Sequence, residues 1–221
     1  MNPKILFLAK KAWKDADAIL VGAGAGMGVD SGLPDFRGKS GFWKAYPPLA
    51  KMGIEFEEIA NPYWFTKNPS LAWGFYGHRL NLYQKTKPHS GFNILLNKLK
   101  EENIPMFVFT SNVDSHFQKA GFHENQIMEC HGSLMHFQCI EECGQPIWPV
   151  DPDLLIQINP DNLLAEEPLP SCPQCGSLAR PNILMFSDFA WNSTRTYGQR
   201  QRFEKWIEKF KNKNLLIIEL G

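Results

Sequence analysis

The sequence lacks any apolar run near the roughly 20 residues needed to cross a bilayer. It also lacks net charge: 23 lysines and arginines offset 23 aspartates and glutamates among 221 residues. No overall field therefore draws the chain to nucleic acid or to anionic lipid. No basic run exceeds a few residues, and "KFKNKN" at 209–214 reads as the solvated end of a helix. The opening "MNPKILFLAKKAWKDADAILV" breaks its apolar stretch with Lys10, Lys11 and Lys14. It offers no small-residue cleavage site before Gly22, so a secretory signal is not expected. Repeats and low-complexity tracts are absent, and no feature fixes an oligomeric state. Cysteines are few. Four of the five form two close pairs, which without a signal peptide favours metal over disulfides and implies a reducing, cytoplasmic setting. Neither a membrane nor a specific nucleic acid is expected as a partner.

What is present reads as an α/β protein. Segments 17–24, 105–112 and 214–221 are short continuous apolar runs ending in small or polar residues, the pattern of buried parallel strands. Helical spacing covers 69–86, where Gly74 and Gly77 each cost about 1 kcal/mol against alanine. It recurs over 90–103, with Ser90 as N-cap, and over 193–213, which also opens on Ser or Thr. Strand, helical crossover, strand, then helix and strand predict a doubly wound, Rossmann-like parallel sheet. Residues 138–180 differ: four cysteines, many prolines and no periodicity predict an inserted zinc-ribbon module held by metal rather than by an apolar core. The expected division is 1–137 with 181–221, and 138–180.

After the first strand comes "GAGAGMGVDSGLPDFRG" at 22–38. Glycines after a buried strand let backbone N–H groups approach a phosphate, and they also serve in ordinary tight turns. The spacing does not make the G-x-G-x-x-G fingerprint. With "PDFRG" included, 24–38 resembles the signature of the sirtuin family. The resemblance implies that Gly24, Ala25 and Gly26 hold the NAD diphosphate, with Asp35, Phe36 and Arg37 in the loop over the nicotinamide ribose. Gly28 departs from the family's usual serine.

Further motifs follow in the family's order. "TSNVD" at 110–114 resembles its Thr-Gln-Asn-Ile-Asp, at the strand end where open α/β sheets bind ligands. By resemblance, Asn112 contacts the ribose and an ordered water, Asp114 reads the nicotinamide amide, and Ser111 replaces a glutamine that contacts ribose. "ECHGS" at 129–133 matches the His-Gly pair. His131 is then the general base, since imidazole can take a proton from a hydroxyl near neutral pH. His78, His89, His116, His123 and His136 are read as surface or satisfied core residues, and Cys130 as a buried small residue. Cys139-x-x-x-Cys143 and Cys172-x-x-Cys175 offer four thiolates to one tetrahedral Zn²⁺ with no open position, which makes the site structural. "RPNILMFSD" at 180–188 resembles the strand that pairs with substrate peptide. Phe186 matches, while Ser187 and Asp188 replace Gly-Glu.

The resemblance implies NAD-dependent deacylation of acylated protein lysines, giving nicotinamide and O-acyl-ADP-ribose. ADP-ribosyl transfer, NAD hydrolysis and a non-catalytic protein-binding module remain alternatives. The family continues past the last strand, so the chain reads as cut short at Gly221. "WGFYGHRLNLY" at 73–83 resembles the stretch of a sirtuin subgroup that removes succinyl and malonyl groups. Tyr76 and Arg79, three apart on one helix face, would then hold the carboxylate of such an acyl group. In the bland alternative Tyr76 packs locally and Arg79 reaches solvent.

Overall fold

The computed structural model describes residues 2–34 and 38–221. Helix α1 (Pro3–Lys14) is capped by Asn2, whose side chain accepts from the Lys4 N–H at 2.9 Å. Strand β1 (Ala18–Ala23) follows, then short helices α2 (Gly26–Val29), α3 (Gly38–Ala45), α4 (Pro47–Lys51), α5 (Phe56–Ile59) and α6 (Tyr63–Lys67). The longer α7 (Pro69–Lys85) and α8 (Ser90–Glu101) lead to β2 (Met106–Thr110), α9 (His116–Lys119) and β3 (Ile127–Glu129). Strands β4 (Gly132–Cys139), β5 (Trp148–Pro149) and β6 (Ala179–Ile183) come next, then α10 (Thr194–Phe210) and β7 (Leu215–Leu220). The N-cap of α8 is His89 rather than Ser90: the His89 ring Nδ1 accepts from the Gly91 N–H at 3.0 Å.

Four strands form a parallel sheet in the order β3-β2-β1-β7, with Ile19 opposite both Met106 and Leu216. Alternating side chains serve its two faces. Ile19, Val21, Met106 and Val108 bury against Phe92, Leu96 and Leu99 of α8 and against Phe117 and Phe122. On the other face Phe107 and Phe109 meet Phe203 of α10 at ring separations of 5.3 and 5.4 Å. Helices thus cover both sides, the doubly wound arrangement that the apolar runs predict. The order reverses at β1, so a crevice opens at the carboxyl ends of β1, β2 and β7.

A second, antiparallel sheet has the order β5-β4-β6 and bears the cysteine pairs. Its surroundings correct one expectation, that the inserted segment goes without an apolar core. Val150, Ile156, Leu163, Ala165 and Ala179 share one buried cluster with Leu71, Trp73 and Phe75 of α7, and the Trp73 indole N–H donates to the Ala179 carbonyl at 3.0 Å. Contact is close enough to require glycine on the helix. A Cβ on Gly74 would lie 1.7 Å from the Leu163 carbonyl oxygen, and one on Gly77 would lie 2.6 Å from Ile156 Cγ2. Among the described residues, no helix is long and apolar enough to cross a membrane.

Candidate active site and metal centre

Backbone and side-chain hydrogen bonds knit the strand ends together at the crevice. Gly24 N–H donates to the Leu220 carbonyl at 2.9 Å, and Ser111 N–H to the Ala23 carbonyl at 3.1 Å. The Asn112 side-chain amide donates to the Gly24 carbonyl at 2.8 Å, and that oxygen also accepts from the Met27 N–H at 3.1 Å. Asn112 is thereby held against the glycine turn. Gly26 is obligatory, since a Cβ there would fall 2.8 Å from the Gly221 Cα. Among the described residues, no hydrogen bond engages the N–H of Ala25 or Gly26. Asp114 is buried and accepts from the His116 N–H at 2.9 Å. A Cβ on Gly28 would sit 3.1 Å from Leu33 Cδ1 and 3.6 Å from Asp114 Oδ2, so Leu33 takes up space that a larger residue would need. Asp35, Phe36 and Arg37 lie outside the described residues.

Beside this crevice a cavity of about 370 Å³ gathers Tyr76, Arg79, Ser111, His131 and Phe186, with Phe56 and Val113 among its apolar walls. Five residues singled out in the sequence, from four separate motifs, thus face one space. Arg79 does not reach solvent. It is buried, donates from Nη2 to the Tyr83 hydroxyl at 2.9 Å, and its guanidinium lies 5.4 Å from the Phe75 ring and 5.9 Å from Phe56. Tyr76 stacks on Phe65, with centroids 5.7 Å apart. Its hydroxyl is buried without a hydrogen-bond partner among the described residues, which in a cavity wall points to a ligand acceptor. Burial pushes the Tyr76 phenol well above its ordinary range, although Arg79 pulls the other way, so the group is a neutral donor. Phe56 carried no sequence motif, and Tyr83, the last residue of the 73–83 stretch, carried no assigned role. Tyr83 could have been found by helical spacing, one turn beyond Arg79.

His131 is exposed at the start of β4, and its carbonyl accepts from the Leu184 N–H at 2.9 Å. The next residue must be glycine: Gly132 has φ +77, and a Cβ would come within 2.2 Å of the Asn182 carbonyl oxygen. Behind them Glu129 is fully buried, accepting from Arg195 at 2.5 Å and from the Ser115 hydroxyl at 3.3 Å. The Ser115 hydroxyl also bonds that of Ser133 at 2.9 Å. This network fixes both flanks of the histidine. Cys130 is half-buried rather than buried, and its N–H extends the sheet to the Thr110 carbonyl at 2.9 Å. The reading of the remaining histidines as satisfied or surface fails at three positions: His89 Nε2 is buried without a partner among the described residues, and the other two are His116 and His136. Neither ring nitrogen of the buried His116 has a partner among the described residues, nor does His136 Nδ1. Burial pushes both imidazoles below their ordinary range, His136 to about 4 with Arg195 adding to the effect.

The cysteine pairs converge at the ends of β4 and β6. Cys139 Sγ lies 3.6 Å from Cys175 Sγ, Cys143 Sγ lies 3.7 Å from Cys172 Sγ, and all four sulfurs fall within 4.8 Å of one another. Those spacings are far too long for disulfides. They fit the edges of a tetrahedron with Zn–S bonds of about 2.3 Å, whose sulfurs stand roughly 3.8 Å apart. Gly144 and Gly176, each just beyond a pair, adopt φ of +86 and +76, the turn conformation that lets two thiolates face one ion. Gln174 links the two knuckles by donating to the Cys143 carbonyl at 2.7 Å. Four thiolates saturate Zn²⁺, so the centre is structural.

Glycine turn, strand-end Asn-x-Asp, His-Gly and a four-thiolate centre on this fold define an NAD-site α/β protein of one kind. The Sir2 family model matches residues 24–218, and the chain belongs to that family. It is 35% identical over 165 residues to an NAD-dependent protein deacylase of Pyrococcus abyssi, covering 75% of this chain and 59% of that protein. It is 31% identical over 196 residues to the mitochondrial NAD-dependent protein deacylase sirtuin-5 of Canis lupus familiaris, covering 81% of this chain and 59% of that one. Among solved structures, a Sir2 homologue–NAD complex superposes with a TM-score of 0.70 at 25% identity, over 100% of this chain and 72% of the other. The chain thus spans about three fifths of the length of those two curated relatives.

Proposed function

We propose that the chain carries the NAD and acyl-lysine sites of a protein lysine deacylase, releasing nicotinamide and O-acyl-ADP-ribose. One observation carries the reading: an exposed imidazole, His131, shares a cavity with a buried phenol and guanidinium, beside a crevice at the strand ends. The N–H groups of Ala25 and Gly26, unengaged among the described residues, suit phosphate oxygens, and Gly26 keeps the backbone open to them. NAD, when bound, supplies a ribose carbon that the acyl oxygen captures as nicotinamide leaves. Toward that reaction His131 takes the proton from a ribose hydroxyl. Asn112, tied to Gly24, orients the ribose side of the crevice, Asp114 reads the nicotinamide amide, and Ser111 stands at a ribose-contacting position. The resemblance of 24–38 to the family signature assigns Asp35, Phe36 and Arg37 to cofactor binding. Phe186 borders the entry of the acyl-lysine, and backbone groups near β6 pair with the substrate peptide.

The division of the chain into 1–137 with 181–221 and 138–180 belongs to the same reading. Cys139, Cys143, Cys172 and Cys175 hold the zinc, and the substrates are acylated protein lysines. Acidic acyl groups are preferred. The Tyr76 hydroxyl, buried with no partner among the described residues, and the Arg79 guanidinium together suit the carboxylate of a succinyl or malonyl group. Nicotinamide release is the test, measured with and without acylated peptide. Peptide-dependent release supports deacylation, and peptide-independent release supports ADP-ribosyl transfer or NAD hydrolysis. No release, with no NAD binding, leaves a protein-binding module.

A further inference from the structure

We infer that Tyr83 is a positioning residue for Arg79 and, through it, sets which acyl group the cavity accepts. The inference rests on the assignment of Tyr76 and Arg79 to an acyl carboxylate. Arg79 and Tyr83 stand one turn apart on α7, and both are buried, 8% and 4% exposed. The Arg79 Nη2 donates to the Tyr83 hydroxyl at 2.9 Å, and the guanidinium carbon lies 5.5 Å from the Tyr83 ring centroid. Phe75 and Phe56 bound the same group on other sides. Tyr83 itself is absent from the cavity wall, so it acts only through the arginine.

An arginine side chain has several rotatable bonds, and ordering it costs conformational entropy. A site that reads a carboxylate bidentately needs the guanidinium plane fixed before the ligand arrives, because displacement by about 1 Å forfeits much of the contact. Tyr83 supplies that fixation with a hydrogen bond at one corner of the fork and a ring beneath it. A phenol is suited to the task. It accepts the bond as a neutral group, whereas a carboxylate at the same place would compete with the ligand for the cation. Burial pushes the Tyr83 hydroxyl above its ordinary range, which keeps it neutral. The residue is itself anchored, since the Lys119 ammonium donates to the Tyr83 carbonyl and at 3.3 Å to that of Gln84, closing the carboxyl end of α7.

The test measures binding of one peptide carrying succinyl-lysine or acetyl-lysine, by calorimetry on the zinc-loaded 221-residue chain. Tyr83→Phe keeps the ring and removes the hydroxyl. It is expected to lower the succinyl-to-acetyl affinity ratio about tenfold, the order set by a hydrogen bond to a charged group. Tyr83→Leu, which also removes the ring, should lower it further. A purely structural role would weaken both peptides alike and leave the ratio unchanged, and that result overturns the inference. Arg79→Met separates the two levels of the argument. If it collapses the ratio while both Tyr83 variants preserve it, the acyl assignment stands and the role of Tyr83 falls. If it too leaves the ratio unchanged, the acyl assignment fails and takes this inference with it.

Discussion

Arg180 and Asp188 form a two-pronged ion pair whose side chains are 3% and 0% exposed, closing the turn that holds Phe186 beside the cavity. One prong, from Nη1 to Oδ1, measures 3.1 Å, and Arg180 also donates to the Ile183 carbonyl at 3.0 Å. Removing one partner of a buried pair strands the other charge, which costs about 3–5 kcal/mol. Asp188→Ala should therefore shift the urea midpoint strongly downward. A loss under about 1 kcal/mol would mean that Arg180 finds water or another acceptor.

The metal centre predicts one zinc per chain. Cys172→Ser, at the most enclosed of the four thiolates with 2% exposure, should release it and lower the melting temperature sharply. Metal binding and folding are a single free energy in such a module. Elemental analysis of well-folded protein checks the first statement, and absence of zinc there refutes the assignment.

His131 is exposed, so replacing it creates no cavity. His131→Ala should leave the melting temperature within about 1 °C while turnover of acylated peptide falls by roughly 10²–10⁴-fold, the usual cost of losing a general base. Full turnover in that variant would transfer the role to another group.

His136 provides a pH signature. Its folded pKa is pushed down to about 4, first by burial and then by Arg195, whereas an unfolded histidine titrates near 6.5. Because the folded value is depressed, the full stability is present above pH 6.5. It falls as the pH drops from there toward 4, where the unfolded chain binds the extra proton. The slope approaches 1.4 kcal/mol per pH unit at most. His136→Gln should flatten that decline in urea midpoints collected between pH 7 and 4. An unaltered slope would assign it to zinc release or to His116.

Helix propensity and packing disagree at Gly74, and packing should win. Alanine there would favour an isolated helix by about 1 kcal/mol, but its Cβ would fall 1.7 Å from the Leu163 carbonyl oxygen. Gly74→Ala is expected to destabilise by 1–3 kcal/mol or more. A variant more stable than the parent would show that the 156–165 segment moves away at little cost.

The parallel strands were legible because burial on both faces leaves a continuous apolar run, and the zinc ligands because thiolates must recur in pairs. Helix α1 was not recognised. Its apolar residues Ile5, Leu8, Ala9 and Ala12 recur at helical spacing and Asn2-Pro3 marks its start, yet none of its residues is buried and Lys10, Lys11 and Lys14 break the apolar stretch. The need for Gly74 and Gly77 was equally hidden, since it arises from Leu163 and Ile156, some 80 residues along the chain. Tyr76 and Arg79 were found by the resemblance of 73–83 to a family subgroup, their spacing only setting both on one helix face, whereas Phe56 arrives in the cavity from a separate short helix with no motif. The N-cap of α8 was misassigned because an imidazole took over a role that serine usually fills.

Strand β4 begins one residue after His131 and ends on Cys139, so the candidate base and the metal centre are the two ends of a single ruler. The span between them is not uniformly extended: its pairing with β6 shifts between Ser133 and Phe137, so the ruler carries a bulge at 134–136. A residue added to the strand would turn every later side chain to the opposite face and misdirect the first knuckle. The chain between Cys143 and Cys172 is tethered as well, because Ile156, Leu163 and Ala165 are buried with α7, so a change of length there has to spare that segment to leave both ends of the ruler in place.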